Sequence, residues 1–377
     1  MKKTTRLITI LFVCSLLLCS CKSVPTQSEP KEVKTEEITL VAFGDNLLHM
    51  PVVNSGKQED GTYNYSHLFT HLQPKIKNAD IAVMGQETIF GGAELGYSGY
   101  PLFNSPSDMG DSLVTEGFDV ILHASNHVLD KGVRGIENTL AFWKQYPDVA
   151  ILGINESVEK QSEVYIKDIK GTKIAMLNYT YGANGFMPPA GKEYLIKFIN
   201  EEKIQKDATL AENNADFTVA FLHWGTEYSI IPTTAQKELA QKMCAWGVDL
   251  IIGAHPHVIE PVEWIKADNG NSCLVYYSLG NFVSRQKETR NVLGAMADVT
   301  LTVSGDTVTI SDAAFVPVVT HYNSTSTEFA VYPLSEYTDD LAAAHGLRNY
   351  VGPVTIDFWK QTVEKVFDGY NMNFVRY

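Results

Sequence analysis

The stretch VDLIIGAHPH (248–257) joins a run of Val, Leu and Ile directly to a compact polar cluster. Apolar runs of this kind that end at Gly or Asn predict buried strands with turns at their carboxyl ends. In open α/β sheets the ligand crevice lies outside those ends, so repetition of the form predicts one functional edge of one sheet. The same form recurs in ITLVAFGDNLLH (38–49), ADIAVMGQE (79–87), FDVILHASNHVLD (118–130), DFTVAFLHWGTE (216–227) and CLVYYSLGNF (273–282).

The polar groups expected at this edge are carboxylates, amides and imidazoles, which are the usual ligands of a hydrolytic metal centre. The strongest local signal is His255-Pro256-His257. Residues i and i+2 of an extended chain point to the same side, and Pro256 restricts the backbone between them. The pair predicts half of a site for Zn, Mn or Fe, the alternative being two hydrogen-bonded histidines in a loop. The full candidate set is Asp45, His49, Glu87, Asn126, His127, Asp130, His223, His255 and His257.

Ser125-Asn126-His127 suggests a division of labour between neighbouring side chains. The amide oxygen of Asn126 suits a metal, while the imidazole of His127 can transfer protons. Asp130 is spaced to orient His127 by a hydrogen bond, as carboxylates commonly do for functional histidines. The alternative is a helix N-cap at Asn126 beside a surface histidine.

The other candidates are weaker one at a time. Asp45 follows Gly44 at a strand end, where a Gly-Asp pair is usually a turn. His49 reaches the same point if a helix begins there, and is otherwise not a ligand. Glu87 follows a predicted strand, where a carboxylate is commonly solvated, and His223 at a strand end is commonly structural. Their shared position is what makes them candidates.

The chain begins with features of an export signal. Basic residues precede an apolar run from Leu7 to Leu18 that is too short to span a bilayer comfortably. The following Leu18-Cys19-Ser20-Cys21 is typical of a bacterial lipoprotein, so residues 1–20 are predicted to be removed and Cys21 to be lipidated. Residues 21–37 are polar and rich in charge, which predicts a flexible tether. The expected location is the extracytoplasmic face of the bacterial cell membrane, the alternatives being a plain cleaved signal or an uncleaved anchor.

Charge and cysteine content limit the classes of function. The 377 residues carry a formal charge of −14, and loss of Lys2, Lys3 and Arg6 with residues 1–20 makes it −17. A domain so acidic repels nucleic acid, so we do not expect nucleic-acid binding. Only Cys244 and Cys273 follow Cys21, which is too few for a disulfide framework, and both are predicted to be small buried residues.

Strand and helix patterns alternate from residue 38 to about 320, which favours βαβ units and layered sheets flanked by helices. Residues 132–146 and 234–246 show helical spacing, and 293–318 predicts a hairpin with a turn at Gly305-Asp306. The predicted core therefore covers 38–334, and residues 335–377 are predicted to form a C-terminal helical extension.

Together these motifs resemble the CapA family of capsule and poly-γ-glutamate synthesis proteins, which have a metallophosphatase-like fold. The resemblance covers about residues 38–320 and implies a four-layer α/β/β/α sandwich with mixed sheets. Ser125 and Gln86 stand where the family usually has Asn, and both changes are mild. The motifs that carry the resemblance are GD-x-x-x-H from Gly44, Glu87 after its strand, SNHVLDKG, HWGTEY, GVDLIIGAHPHVIEPVE and YYSLGNF.

The wider metallophosphoesterase relatives imply roles by similarity. Asp45 and His257 would serve one divalent metal, while Asn126, His223 and His255 would serve a second. Glu87 would bridge the two ions, and His127 would be the general acid. Leu47 stands where those enzymes carry a ligand of the first ion, so unless His49 substitutes for it, one metal or a weakly held second one is expected.

The leading expectation is a lipid-anchored protein in capsule or poly-γ-glutamate synthesis, export or anchoring, acting by metal-dependent hydrolysis. Its expected partners are an anionic surface polymer or its precursor, the membrane through Cys21, and polymer synthase subunits. The alternatives are a non-catalytic subunit for polymer binding or assembly and a general extracellular metallophosphoesterase.

Overall fold

The structure is a computed structural model that describes Thr35–Tyr377. The predicted signal peptide, Cys21 and nearly all of the tether lie outside the described residues. Among Thr35–Tyr377, no helix has both the length and the apolar character needed to cross a membrane. The strands are β1 (Thr35–Asn46), β2 (Ile81–Gly85), β3 (Val120–Leu122), β4 (Ala150–Leu152), β5 (Tyr165–Ile169), β6 (Thr172–Thr180), β7 (Phe217–His223), β8 (Leu250–Ala254), β9 (Val262–Lys266), β10 (Ser272–Tyr276), β11 (Asn281–Val283), β12 (Leu293–Ser304), β13 (Thr307–Tyr322) and β14 (Phe329–Pro333). The helices are α1 (Met50–Ser55), α2 (Gln73–Asn78), α3 (Asp108–Glu116), α4 (Gly132–Trp143), α5 (Val158–Ser162), α6 (Glu201–Glu212), α7 (Thr234–Ala245), α8 (Asp339–Ala344), α9 (Arg348–Val351) and α10 (Ile356–Val366).

The strands form two mixed sheets. The first has the order β14-β13-β12-β1-β2-β3-β4, with β11 also pairing with β1, and the second has the order β5-β6-β7-β8-β10-β9. Strands β1 to β4 run parallel, whereas β12, β13 and β14 are antiparallel to their neighbours. The hairpin predicted at Gly305-Asp306 is confirmed, because Ser304 of β12 lies opposite Thr307 of β13.

Alternating side chains of the second sheet explain the layers. Phe217, Val219 and Phe221 lie on one face of β7 and belong to the large apolar cluster shared with the first sheet. Ala220 and Leu222, on the opposite face of β7, pack in a separate cluster with α6 and α7. Helices α2, α3 and α4 contribute to the cluster of the first sheet. The predicted four-layer α/β/β/α sandwich with mixed sheets is confirmed.

Both ends of the predicted core differ in the structure. Strand β1 begins at Thr35, three residues before the predicted start, because its backbone pairs with β12 from Thr35 opposite Ser304 onward. Polar side chains at these exposed positions hide the strand from an analysis based on apolar residues. At the other end, the helices after residue 334 belong to the same core, since Trp359 and Val363 of α10 are fully buried in the main apolar cluster.

The prediction that a single sheet carries all the candidate ligands is wrong. The ends of β1, β2 and β3 in the first sheet approach the ends of β7 and β8 in the second, so the polar clusters meet between two sheets. A close approach of backbones makes this possible at Gly44. A Cβ atom there would overlap the carbonyl oxygen of Gly280, and the neighbouring Asp45 amide donates to that same oxygen at 2.9 Å.

We therefore expect Gly44→Ala to lower the free energy of unfolding by about 1–3 kcal/mol, because backbone rather than a flexible side chain must move. Denaturant unfolding of the purified protein measures this. Gly182→Ala is the matched control, since a Cβ there meets no atom within 4 Å. Equal stability of the two variants would contradict the proposed steric role of Gly44.

A second stability prediction concerns His345, which is buried away from the candidate site. Its Nε2 donates to the carbonyl of Thr320 at 3.0 Å, and its Nδ1 accepts from the Leu347 amide at 3.0 Å. Protonation would remove that acceptor. Burial, together with the nearby His321, lowers the pKa of His345 to about 3.

The folded state resists protonation of His345. Its contribution to the free energy of unfolding is therefore complete above about pH 6.5 and is lost as the pH falls towards 3. Because the unfolded chain binds this proton more readily than the folded one, His345 should lower the free energy of unfolding by about 2 kcal/mol at pH 5 relative to pH 7. Chemical unfolding at both pH values checks it. His345→Gln should reduce the difference between the two pH values, and an unchanged difference would refute the assignment.

Candidate metal centre

Asp45, Glu87 and His257 form the centre of the site. Asp45 lies near the end of β1, Glu87 follows β2, and His257 follows β8. His257 Nδ1 is 3.3 Å from Asp45 Oδ2 and 3.9 Å from Glu87 Oε2. One ligand atom from each residue lies within 4.8 Å of the others, and all three residues are buried. This is a compact set of oxygen and nitrogen donors that could hold a divalent metal.

A second group of donors adjoins Glu87. His223 Nε2 is 4.0 Å from Glu87 Oε1 and 2.9 Å from Asn126 Oδ1, while His223 Nδ1 is 3.6 Å from Asp45 Oδ1. The ring of His255 lies 4.8 Å from that of His223, measured between centroids. Glu87 therefore lies between His257 on one side and His223 with Asn126 on the other. This is the position that a bridging carboxylate needs.

Glu227 joins the site, although its position in the sequence does not mark it as a candidate. With His255 and His257 it supplies ligand atoms that lie within 4.8 Å of one another, and unlike the two histidines it is exposed. The feature of the sequence that could have indicated Glu227 is its position in HWGTEY, four residues after His223. A carboxylate four residues beyond a strand cannot be distinguished from a solvated one until the loop conformation is known.

The spacing predicts an extended backbone that points His255 and His257 to the same side, and this prediction is wrong. The loop is not extended, since φ is 99° at His255 and 58° at His257, in the left-handed region that non-glycine residues rarely adopt. The two rings nevertheless lie 5.9 Å apart, measured between centroids. Strained backbone of this kind is common at functional sites, where the surrounding structure enforces it. Here the His255 amide donates to Asp45 Oδ2 at 3.1 Å and holds the turn.

His127 and Asp130 form the predicted pair. His127 Nδ1 is 2.7 Å from Asp130 Oδ2, and His127 Nε2 is 3.9 Å from Glu87 Oε1. The same Asp130 oxygen accepts the amide of Phe103 at 2.6 Å, which ties the loop before α3 to the histidine. Burial lowers the pKa of His127, but the Asp130 and Glu87 carboxylates outweigh it and raise the pKa overall. The geometry orients His127 with Nε2 towards the donors.

His49 lies at the edge of this arrangement and outside both donor groups. It is the residue before α1, and its Nδ1 accepts the amide of Arg285 at 3.2 Å. Its ring packs edge-on against Phe103 and lines a cavity of about 330 Å³ shared with His127, His257 and Glu227. The structure thus places His49 in the wall of the cavity above the centre.

The buried charges require a positive partner. Neither carboxylate oxygen of Glu87 has a hydrogen-bond partner among the described residues, and the Nδ1 of His255 also lacks one. Burial raises the pKa of Glu87, and the nearby Asp45 carboxylate adds to the rise. A buried carboxylate without donors costs several kcal/mol unless it is protonated or bound to a cation. The unpaired atoms fit a metal.

The imidazoles are suited to be ligands. Burial and the neighbouring histidines lower the pKa of His255 to about 3 and that of His223 well below its usual value. Both are therefore neutral, as metal ligation requires. Burial also opposes a charge on His257, but the Glu87 and Asp45 carboxylates raise its pKa to about 9. Its proton then occupies the place that a cation between those carboxylates would take.

Two hydrogen-bonded amides brace the donors from behind. Asn281 Oδ1 lies 3.1 Å from His257 Nδ1, while its Nδ2 donates to the His257 carbonyl at 3.2 Å. Next to Asp45, the side chain of Asn46 donates to Gln86 Oε1 at 2.6 Å, and so links the loop of Asp45 to that of Glu87. The mild change to Gln86 noted in the sequence therefore keeps a connection between the two carboxylates.

Two mixed sheets with His, Asp, Glu and Asn side chains converging between their ends define the class as a metallophosphatase-like α/β sandwich. The family described as "Bacterial capsule synthesis protein PGA_cap" matches residues 39–286, which is more than half of the chain. The chain belongs to this family, and the resemblance to CapA proteins is confirmed.

Two curated relatives agree with this assignment. The chain is 26% identical over 290 residues to "Capsule biosynthesis protein CapA" of Bacillus anthracis, covering 74% of this chain and 67% of that protein. It is 36% identical over 198 residues to "PGA biosynthesis protein CapA" of Bacillus subtilis (strain 168), covering 50% of this chain and 48% of that one. The match thus spans only about half the length of the second relative.

Among solved structures, the calcineurin-like phosphoesterase YfkN from Bacillus subtilis resembles this chain with a TM-score of 0.45 and 13% identity. The alignment covers 88% of this chain and 99% of that one. At this level of similarity the comparison decides neither activity nor ligand.

The donor geometry predicts that replacing His255 and His257 together with Ala lowers metal affinity by more than about 100-fold, since loss of outer partners alone costs 10–100-fold. Metal content after dialysis, measured by mass spectrometry, and far-ultraviolet circular dichroism check binding and folding. The matched control is the pair His67→Ala and His71→Ala, which changes two histidines outside the site. Equal metal content in the folded double variant and its parent would refute the assignment.

Proposed function

We propose that the chain is a cell-surface lipoprotein that acts in capsule or poly-γ-glutamate synthesis, export or anchoring by metal-dependent hydrolysis. Membership of the capsule synthesis family supports the biological role. The names of the two relatives support the same role, one in capsule and the other in PGA biosynthesis. The hydrolytic part rests on the chemistry of the site.

Asp45, Glu87, Asn126, His223, His255 and His257 would hold one or two divalent ions. Mixed carboxylate, amide and imidazole donors favour Mn, Zn or Fe over Ca or Mg. When bound, such an ion lowers the pKa of a water molecule and polarises the bond to be broken. Glu87 fits between the two groups of donors because both of its oxygens are free of other partners in the described residues.

His127 would hold and deliver a proton. Asp130 fixes the imidazole through Nδ1, which leaves Nε2 facing the donor groups 3.9 Å from Glu87. The raised pKa of His127 keeps it protonated over a wider pH range, as a general acid for a leaving group requires. The cavity of about 330 Å³ gives a substrate access to this atom. The leaving group would depart from phosphorus or from an amide carbonyl.

The cellular setting is part of the same proposal. Lipidation of Cys21 would anchor the protein on the extracytoplasmic face of the membrane, where a polymer synthase delivers its product. The polymer or its precursor would be anionic, and the synthase subunits would be partners. An anionic chain would meet attraction at the metal centre, because the chain as a whole carries a net charge of −14 and repels it elsewhere.

The pairing of His127 with Asp130 beside the donor groups is the observation that carries the enzymatic interpretation. We expect His127→Ala to retain metal and fold but to lose about 10²–10⁴-fold in turnover, the usual contribution of a positioned general acid. Metal analysis, hydrolysis of simple phosphodiesters and of poly-γ-glutamate, and polymer yield in cells measure this. His71→Ala is the control for removal of a histidine.

A different result would favour a non-catalytic binding subunit. Normal polymer yield in cells that carry His127→Ala, together with polymer binding that a chelator abolishes, would rule out hydrolysis as the function. Lost yield with a folded, metal-loaded variant would instead exclude the passive role.

A further inference from the structure

The segment SRQKETRN (284–291), which connects β11 to β12, concentrates positive charge beside the metal centre. We name it the cationic loop. Arg285, Lys287 and Arg290 carry three positive charges within six residues, against the single negative charge of Glu288. In a chain whose formal charge is −14, this local excess opposes the overall field.

None of the ion pairs that lysine and arginine form within Thr35–Tyr377 includes these three cations, so no carboxylate neutralises them there. Arg285 instead donates to hydroxyl groups of Ser326 at 2.7 Å, Tyr322 at 3.3 Å and Tyr350 at 3.0 Å. Its guanidinium also stacks over the ring of Tyr322 at 4.3 Å. These neutral partners position the arginine without cancelling its charge.

The loop is connected to the metal centre by hydrogen bonds. Asn281, which orients His257, donates to Gln286 Oε1 at 2.8 Å, and Asn291 donates to the same oxygen at 2.9 Å. The other end of the Gln286 amide donates to Tyr228 Oη at 3.4 Å. Gln286 is thus held at both ends, which fixes the loop relative to the donors.

Tyr228 is also the wall between two cavities. The cavity above His127 and His257 has a volume of about 330 Å³, and Tyr228 and Gln286 are among its lining residues. A neighbouring cavity of about 480 Å³ is lined by Tyr228, Val258, Glu288, Thr289, Arg290, Asn291 and Phe358. The two spaces adjoin along one side chain, and the cationic loop borders both.

We infer that the cationic loop is a substrate subsite that binds anionic groups of an extended polymer while one unit of that polymer lies at the metal centre. This inference rests on the proposed function for the identity of the polymer. A chain with an anionic group on each unit could place one group at the centre and pass its neighbours over Tyr228 towards Arg290, which lines the second cavity. Carboxylates and phosphates share this chemistry.

The test uses the double variant Lys287→Gln and Arg290→Gln in the full, metal-loaded protein. Both side chains are exposed, so removing their charges leaves the core intact. The matched control is Lys206→Gln and Lys266→Gln, two exposed cations outside the loop that give the same change in net charge. Dissociation constants are measured by calorimetry for poly-γ-glutamate fragments of defined length and for linear polyphosphate.

We expect the loop variant to bind the chosen polymer about five- to tenfold more weakly, from two exposed charge pairs, with the control unchanged. The effect should appear with long fragments and vanish with a single unit, which reaches only the metal. The polymer whose affinity falls, polyglutamate or polyphosphate, identifies the anionic group that the loop takes.

Equal weakening in the loop variant and the control would show a general effect of charge and would overturn the inference. Unchanged affinity in the loop variant, or no affinity of the parent for either polymer, would also overturn it. The proposed hydrolysis is measured separately, as the rate of polymer turnover. A folded protein that binds polymer through the loop without hydrolysing it would refute the enzymatic function and leave the subsite standing.

Discussion

Two buried carboxylates whose negative charge must be compensated are the constraint on which the site depends. Asp45 and Glu87 are nearly inaccessible to solvent, and Glu87 has no hydrogen-bond donor within the described part of the chain. Such groups are stable in a protein interior only when a proton or a cation compensates them. Three imidazoles converge on the same point, and this combination explains why donors from two sheets are brought together there.

Local backbone features follow from that convergence. Gly44 lets β1 and the segment before β11 approach so closely that the Asp45 amide reaches the carbonyl of Gly280. His255 and His257 adopt left-handed backbone angles, and the side chain of Asp45 holds their loop through the His255 amide. Strain in this loop is acceptable because β8, the strand that leads into it, is central in its sheet and almost entirely buried, so the surrounding core stabilises it.

The electrostatics of the surface and of the site differ in sign. The net charge of −14 repels polyanions, whereas the cationic loop carries a local excess of positive charge, to which a bound metal would add. In the proposed binding mode, this contrast would favour one orientation of an anionic chain, along the path past Tyr228. The same tyrosine bonds to Gln286, so the shape of the path and the position of the loop are coupled.

The sequence by itself determined the class of fold and marked most of the polar side chains that meet between the two sheets. Burial and strand ends depend mainly on neighbours along the chain, so the sequence indicates them directly. The indicators here are apolar runs followed by Gly-Asp, Ser-Asn-His and Gly-Ala-His-Pro-His. Tertiary structure decided what these neighbours could not specify. It showed that two sheets, not one, supply the donors, that Glu227 reaches the site, and that His49 lies in the wall with its Nδ1 bonded to Arg285. It also placed Arg290 in the lining of the cavity next to Tyr228. These outcomes depend on loop conformation and on contacts between residues distant in the chain, and the register and side-chain packing that set them arise only when the two sheets close over a common core.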